Sequence, residues 1–273
     1  MNDSLAKKKL SWELFRKVTL ILLLLVIAAI EICYRLQSEP SEQLNDIYNS
    51  LSRFLGSLVA LIFMIEFSLG KILHPLGNRS AKALVFVIPA LIIAVNNFPW
   101  VSFLTGDCRI DASVWDIAFY GVVCLCVGLF EELAFRGCAF MILLKNRTDT
   151  RLRTFMAIFW SSVLFGAVHL VNLFVSSPGA VLLQLGYSAL IGVMCCLVLL
   201  ETGNIWICVI IHAVYNFAGG VVPRFGEGII WTGAEVAITA LFGVAVAAFS
   251  VYRFLTMPQS AVKKLFYEKG KNI

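Results

Sequence analysis

Ionisable side chains fall inside three apolar segments of the chain, where charged groups are costly. Glu131, Glu132 and Arg136 lie within six positions of one such segment, and His169 and His212 lie in two later ones. If the segments cross a membrane, each charge at its centre costs roughly 2.5–3.5 kcal/mol on insertion scales, so such residues usually face a bundle interior or a wet cavity. Their concentration on three segments predicts one shared functional site.

Helical spacing predicts how these groups pair. Glu132 and Arg136 are four residues apart with the acid first, which is the favourable order for an ion pair on one helix face. Glu131 is rotated by about 100° from Glu132, so the arginine can hold one carboxylate while the other faces different surroundings. Asn216 follows His212 by four residues and shares its helix face. We expect the Glu132–Arg136 pair to orient the site.

These residue types suit peptide-bond hydrolysis, which needs an activated water, a group that polarises the carbonyl and a proton for the leaving amine. Glu131 is the candidate general base, because a carboxylate shielded from bulk water is a stronger base. The two neighbouring glutamates could exchange these roles. We expect His169 to position the water, and His212 and Asn216 to donate to the developing oxyanion, where donors in a dry site are most effective.

A metal ion is the alternative activator of the water. Glu131, His169 and His212 are a plausible catalytic zinc set that leaves the fourth position for water. The H-E-x-x-H helix of soluble metalloproteases is absent from the sequence. Two mechanisms therefore stay open. In the first, which we favour, a glutamate activates the water without a metal; in the second, a single divalent zinc ion activates it.

The elements that carry these residues are predicted to be membrane-spanning helices. Of the 273 residues, 60% are hydrophobic and 14% charged, whereas soluble domains are usually about 45–50% apolar and about 25% charged. A helix needs about 20 mostly apolar residues to span a bilayer. Eight segments meet this condition approximately: 18–36, 54–73, 83–100, 114–144, 154–175, 180–200, 204–222 and 230–254. The sequence thus predicts an all-α, polytopic membrane bundle of about eight transmembrane helices that forms a single domain over residues 1–273.

Basic residues predict the orientation of this bundle. With the amino terminus inside, 17 lysines and arginines fall in cytoplasmic segments and only four in external ones. The external four are Arg35, Arg53, Arg109 and Arg224. By the positive-inside rule, both termini are expected to be cytoplasmic, in a multi-pass protein of the plasma membrane, and the Cys108 loop is expected to be external.

Three ordered motifs in the later segments resemble those of the CPBP family. This family comprises the CAAX-protease and bacteriocin-processing (Abi) intramembrane proteases, and it includes the type II CAAX prenyl endopeptidases. The motifs are Glu131-Glu132-x-x-x-Arg136, within EELAFRG, followed by Phe165-x-x-x-His169 and His212-x-x-x-Asn216. No motif position departs from the pattern. The motifs lie between about residues 120 and 217, inside a family-like catalytic core at about 114–222.

The resemblance implies an intramembrane endopeptidase that uses the same six side chains, in a cavity open towards the cytoplasm. Members are commonly labelled metalloproteases, so the resemblance leaves the metal question open. It allows three kinds of substrate: prenylated carboxyl termini, peptide precursors with leader sequences, and membrane-protein tails. We expect such a peptide or protein to enter from the membrane or the cytoplasmic side, with lipids as the other partner and no nucleic acid.

Two functions of other classes fit part of the pattern. A proton- or ion-coupled transporter also needs carboxylates and histidines at mid-membrane, but it would usually carry internal repeats, and the sequence has none. A catalytically silent scaffold or an immunity or regulatory protein is the stronger alternative, because members of this family can act through partners. Loss of a motif residue would favour that interpretation, and every motif residue is present.

Overall fold

The structure is a computed structural model that describes residues 18, 22, 41–74, 87–145, 150–174, 177–263 and 265–266. The side chains of residues 171, 180 and 183 are not described. The predicted first crossing, 18–36, lies outside the described residues except for two positions. The same is true of most of the basic residues near both termini that support the predicted orientation.

The described chain is almost entirely helical. The helices are α1 (Glu42–Glu66), α2 (Ile88–Asn96), α3 (Trp100–Leu104), α4 (Val114–Glu132), α5 (Arg151–Ala167), α6 (Pro178–Thr202), α7 (Ile205–Phe225), α8 (Gly233–Thr256) and α9 (Gln259–Lys263). Helix α4 continues without a break as a π-helical segment, Leu133–Phe140, and a last α-helical turn, Met141–Leu144. Two 3-10 segments occupy Gly70–Leu73 and Val168–Phe174. Strands β1 (Cys108–Ile110) and β2 (Gly226–Gly228) pair antiparallel.

Six helices among the described residues are long and apolar enough to cross a membrane. They correspond to six of the eight predicted crossings, and the predicted all-α membrane bundle is confirmed. Their bounds are Glu42–Glu66, Val114–Leu144, Arg151–Phe174, Gln184–Thr202, Ile205–Phe225 and Gly233–Thr256. In the described part of the predicted crossing at 83–100, the chain forms the shorter helix α2 and then breaks at Pro99.

Helix α1 begins well before the predicted crossing at 54–73. The side chain of Ser41 caps it by accepting a hydrogen bond from the Leu44 amide at 3.2 Å, and such a cap satisfies a free backbone donor at a helix start. Arg53, which the sequence places in the segment before this crossing, therefore lies within α1, a helix that is long and apolar enough to cross a membrane. A rule based on apolar length begins a segment after the last charge, whereas the cap at Ser41 sets where the helix begins.

Close approach of backbones fixes α4 against its neighbours. A Cβ on Gly128 would lie 3.1 Å from both the Ala213 nitrogen and the Val209 oxygen of α7, so only glycine fits without a shift. In the π-helical segment, a Cβ on Gly137 would lie 2.7 Å from the sulfur of Met64 in α1. These two glycines let α7 and α1 pack tightly on either side of the acidic and basic residues of α4.

The two ends of the bundle differ in charge and packing. The pair of strands β1 and β2 marks one end, which we call the ribbon end, where α4 and α8 begin and α7 finishes. The opposite end, which we call the basic end, is filled by fully buried apolar side chains such as Leu144, Leu200 and Ile205. Its described basic residues are Lys71, Lys145, Arg151, Arg153, Arg253 and Lys263.

Candidate active site

Glu132 joins two of the predicted site residues. Its Oε1 accepts a hydrogen bond from Arg136 Nη1 at 2.7 Å and lies 2.8 Å from Nδ1 of His212. Neither Glu132 nor Arg136 is exposed at all. The predicted i,i+4 pair is therefore present, and it also fixes the imidazole of α7. Since an ionised carboxylate can only accept, Nδ1 of His212 carries the proton in this bond.

Arg136 lies in the π-helical segment that follows α4. A π-helical turn has i→i+5 hydrogen bonds in place of the usual i→i+4 bonds. Such turns are rare and are often found at functional sites. Ser161 of α5 donates to the Phe135 carbonyl within the segment at 3.1 Å, which satisfies a backbone acceptor there. The guanidinium also lies over the ring of Phe165, 4.3 Å from its centroid, and cation–π contacts of this kind are stabilising.

Glu131 has different surroundings from its neighbour Glu132. Its Oε2 lies 3.5 Å from Nε2 of His212, and its side chain keeps 14% exposure, whereas the Glu132 side chain has none. His212 thus lies between the two carboxylates, with one ring nitrogen towards each. As the sequence predicted, one glutamate is held by the arginine and the other has a separate environment.

Phe165 organises the histidines from the adjacent helix α5. Its ring is buried and makes edge contacts with the imidazoles of His169 and His212, at centroid distances of 5.3 and 5.6 Å. The backbone oxygen of Phe165 lies 3.0 Å from Nδ1 of His169. A carbonyl oxygen only accepts, so Nδ1 of His169 donates and its Nε2 stays available. The first residue of the second motif is therefore structural support for the other two motifs.

A cavity of about 1020 Å³ contains the exposed face of the site. Glu131, His169, His212 and Asn216 all line it, whereas Glu132 and Arg136 lie behind the wall. This volume is at the upper end of the usual range for ligand-binding pockets, about 300–1,000 Å³. The structure thus brings all six predicted site residues to one place and divides them into four that meet the cavity and two that support it.

Other polar side chains line the same cavity. Asn96 and Asn97, at the end of α2, lie in the wall, and Asn97 Nδ2 donates to the Tyr215 backbone carbonyl at 2.9 Å. Asn172 donates to Gln184 at 2.8 Å across the wall. Sequence reasoning missed Asn172 and Gln184, because single amides in apolar segments are most often interhelical contacts.

Arg53 is a further residue of the cavity wall that sequence reasoning missed. Its guanidinium lies over the ring of Phe130, 5.3 Å from the centroid, and Phe130 immediately precedes Glu131 in the chain. Among the described residues, no carboxylate forms an ion pair with Arg53. It is the one arginine or lysine among the described residues of the cavity wall, and it adds a positive charge to a lining that is otherwise mostly neutral.

The residues proposed to bind zinc do not fit that ion in this arrangement. Bonds from zinc to nitrogen or oxygen are about 2.0–2.2 Å, so two such ligand atoms are at most about 4.4 Å apart. The ligand atoms of Glu131, His169 and His212 do not form a group within 4.8 Å; in the described part of the chain that spacing is met by Glu132, Cys195 and Cys208. Glu132 is already paired with the Arg136 guanidinium, which disfavours a metal cation beside it.

Comparison with known proteins agrees with the motifs. Residues 113–218 match the family model described as type II CAAX prenyl endopeptidase Rce1-like. No curated protein and no solved structure matches the chain. The matched range contains all three motifs and the whole of the polar cluster described above. The family predicted from the three motifs is therefore confirmed for the part of the chain that carries them.

Proposed function

We propose that the protein is an intramembrane endopeptidase in which Glu131 activates a water molecule for attack on a peptide bond. One observation carries this proposal: Glu131 is the carboxylate that meets the cavity, while Glu132 is buried behind it between Arg136 and His212. A general base must reach the water and the substrate, so the exposed carboxylate is the base. The buried one holds the neighbouring groups in place.

The histidines supply the remaining contacts of the reaction. Since Nδ1 of His169 donates to the Phe165 carbonyl, its Nε2 can accept from the water that Glu131 deprotonates. Nδ1 of His212 is held by Glu132, and its Nε2 is directed to Glu131 and the cavity. When protonated, this Nε2 donates to the developing oxyanion, together with the Asn216 amide one turn further along α7.

These groups account for each proton transfer and each bond change of the hydrolysis. Glu131 takes one proton from water as the hydroxide oxygen bonds to the carbonyl carbon, and the oxyanion forms against the His212 and Asn216 donors. Glu131 returns its proton to the amine nitrogen as the carbon–nitrogen bond breaks, acting first as base and then as acid. The products are a carboxylic acid and an amine, which become a carboxylate and an ammonium group when the acid gives its proton to the amine, and no covalent enzyme intermediate is formed.

We infer that this endopeptidase is a multi-pass protein of the plasma membrane with both termini in the cytoplasm. Its partners are membrane lipids and a peptide or protein substrate that enters from the membrane or the cytoplasmic side. The cavity offers mostly apolar surface and side-chain amides. Such amides can both donate to and accept from an extended peptide backbone.

The substrate can be found by comparing peptides from two cell populations. We expect cells with the wild-type protein to contain cleaved ends of at least one membrane-associated polypeptide that are absent from cells lacking the protein. The measurement is mass spectrometry of new peptide termini in membranes and medium. A phenotype that depends on the protein yet persists with Glu131→Gln would instead favour the scaffold function, because a scaffold needs the fold but not the base.

Removal of metal tests the mechanism on purified protein. We expect protein that is treated with a chelator, and then shown by elemental analysis to be free of zinc, to keep its full activity. The reason is that Glu131, His169 and His212 do not converge on one ion. Loss of activity on chelation, with recovery when zinc is added back, would contradict the metal-free mechanism but leave the proposed protease activity intact.

A further inference from the structure

Arg53 is a positive charge at the middle of α1. It lies 11 residues after Glu42 and 13 before Glu66, so about 16 Å and about 20 Å of helix separate it from the two ends. A charge at this depth in a membrane-spanning helix is costly, and such residues usually have a partner and a function. In the described part of the chain its buried Nε has no hydrogen-bond acceptor, and no carboxylate pairs with its guanidinium. The side chain is therefore available to a ligand.

Packing between α1 and α4 holds Arg53 near the catalytic residues. Its guanidinium lies 5.3 Å from the centroid of the Phe130 ring. The same ring lies against Gly56, about one turn further along α1, where a Cβ would be 2.6 Å from a ring carbon. Phe130 immediately precedes Glu131, and both Arg53 and Glu131 line the cavity. The close contact at Gly56 thus seats the ring that supports the cation.

Arg53 leaves Glu131 unpaired, although both residues line one cavity. No ion pair joins the two side chains, whereas His212 Nε2 lies 3.5 Å from the Glu131 carboxylate. A direct pair with arginine would occupy the carboxylate that has to take a proton from water. Their separation leaves Glu131 open to the water and Arg53 open to a negative group of the substrate. Asn96 adds a second unused donor to the wall, because its buried Nδ2 also has no acceptor among the described residues.

A carboxylate is the group of a peptide that suits this arginine. The guanidinium presents a planar fork of N–H donors that matches the two oxygens of a carboxylate. A phosphate also suits the guanidinium, but lipid phosphates lie in the interfacial layers outside the hydrocarbon core, which is about 30 Å thick. Arg53 is at the centre of α1, so an anion that reaches it has to enter the cavity. A peptide that enters to be cut can bring its own carboxylate to this position.

We propose that Arg53 is a substrate-binding residue that holds a carboxylate of the peptide close to the bond that is cut. An aspartate or glutamate side chain and a free carboxyl terminus both present this group. An extended chain advances about 3.3–3.6 Å per residue, so a carboxylate anchored beside Phe130 lies within roughly four residues of the bond attacked at Glu131. The inference rests on the proposed function, because it names a feature that selects the substrates of that reaction.

Peptide binding to a chain that cannot cut tests this inference. Four sets of acetylated, apolar nonapeptides differ in one feature each. The first set is neutral with an amidated carboxyl end, the second contains one glutamate and the third one lysine, both amidated, and the fourth has a free carboxyl end. Each set is added to purified Glu131→Gln protein in detergent. Affinity is measured from the rise in unfolding temperature with peptide concentration, because a ligand of the folded state stabilises it by mass action.

The expected result is selectivity for the carboxylate that depends on Arg53. The glutamate set, the free-carboxyl set or both should bind about tenfold to a hundredfold more tightly than the neutral set, the range for hydrogen bonds between charged groups. Arg53→Met should abolish this difference, and Arg53→Glu should reverse it in favour of the lysine set. Arg109→Met, which removes an exposed arginine outside the cavity wall, should leave it unchanged. Whichever set gains affinity identifies the source of the carboxylate.

The ratio between peptide sets separates recognition from a structural effect. Loss of packing in Arg53→Met would weaken the binding of all four sets alike. The inference is overturned by equal affinity for all sets, by binding of none, or by a preference for carboxylates that survives in Arg53→Met. It is also overturned if phosphatidylglycerol stabilises the chain only when Arg53 is present and the peptide sets bind alike, since Arg53 would then hold a lipid phosphate.

Cleavage of the same peptides by the wild-type chain is scored separately. Carboxylate binding that depends on Arg53, without cleavage of any set, would refute the proposed protease activity and leave the binding site standing. Cleavage of all four sets at equal rates by both the wild-type chain and Arg53→Met would support the protease activity and refute the role of Arg53. The two failures are therefore distinguishable.

Discussion

Replacing Glu131 with glutamine is expected to lower the rate of peptide-bond cleavage by a factor of about 10² to 10⁴, the usual contribution of a general base. Glutamine has nearly the same shape but cannot take a proton from water. The change leaves the Glu132–Arg136 pair and the Glu132–His212 contact untouched. We therefore expect the variant to reach the membrane in normal amounts and to melt at the wild-type temperature.

A matched control is available at the ribbon end. Glu227 lies in β2 and pairs with Arg109 at 2.9 Å, and both side chains are mostly exposed. Glu227→Gln makes the same chemical change outside the catalytic cavity and should leave cleavage unchanged. Full activity of Glu131→Gln, measured beside this control, would refute the assignment of Glu131 as base. Activity lost only in Glu132→Gln would show that the two glutamates have exchanged roles.

The same assay tests whether Glu131 and His169 act on one water. We expect His169→Ala to abolish cleavage, because its free Nε2 is the acceptor that positions the water opposite Glu131. Residues that act as a unit show strongly non-additive effects, since removal of one already loses the function of the unit. The double variant should be no slower than the slower single variant. Additive losses would mean that the two side chains serve different steps.

Two features of the site follow from the sequence by simple physics. A membrane requires a fixed length of apolar helix, so most of the described crossings can be located from hydropathy alone. A helix places residues four apart on one face, so the Glu132–Arg136 pair can be predicted from spacing. Both features depend on distances along one chain segment, which the sequence states directly.

Other features depend on how separate helices meet. The contact between Glu132 and His212 joins residues 80 positions apart in the chain. It depends on the close approach of α4 and α7 at Gly128. The π-helical segment depends on partners such as Ser161 that lie on another helix. The position of the cavity depends on which parts of the bundle the large apolar side chains fill. No local pattern of residues specifies these three-dimensional choices, and Arg53 escapes prediction for the same reason.

Replacing Arg136 with methionine is expected to destabilise the protein by about 3–5 kcal/mol, the usual cost of removing one partner from a buried ion pair. Methionine keeps much of the volume, so most of the loss comes from charge. Glu132 would remain fully buried with His212 as its described partner. The lost contact with the Phe165 ring adds a smaller amount, since cation–π interactions contribute roughly 0.5–2 kcal/mol. Thermal unfolding in detergent gives the measurement.

A second substitution separates the effect of charge from the effect of packing. Adding Glu132→Gln to Arg136→Met removes the stranded carboxylate, and a buried pair replaced by neutral groups of similar size often costs little. We therefore expect the double variant to be more stable than Arg136→Met alone, although cleavage stays low because His212 loses its carboxylate partner. Arg109→Met, which breaks an exposed pair, should change stability by only about 0–1 kcal/mol. If Arg136→Met melts like Arg109→Met and keeps its activity, the buried pair does not position the site, and Glu131 must be held by other contacts.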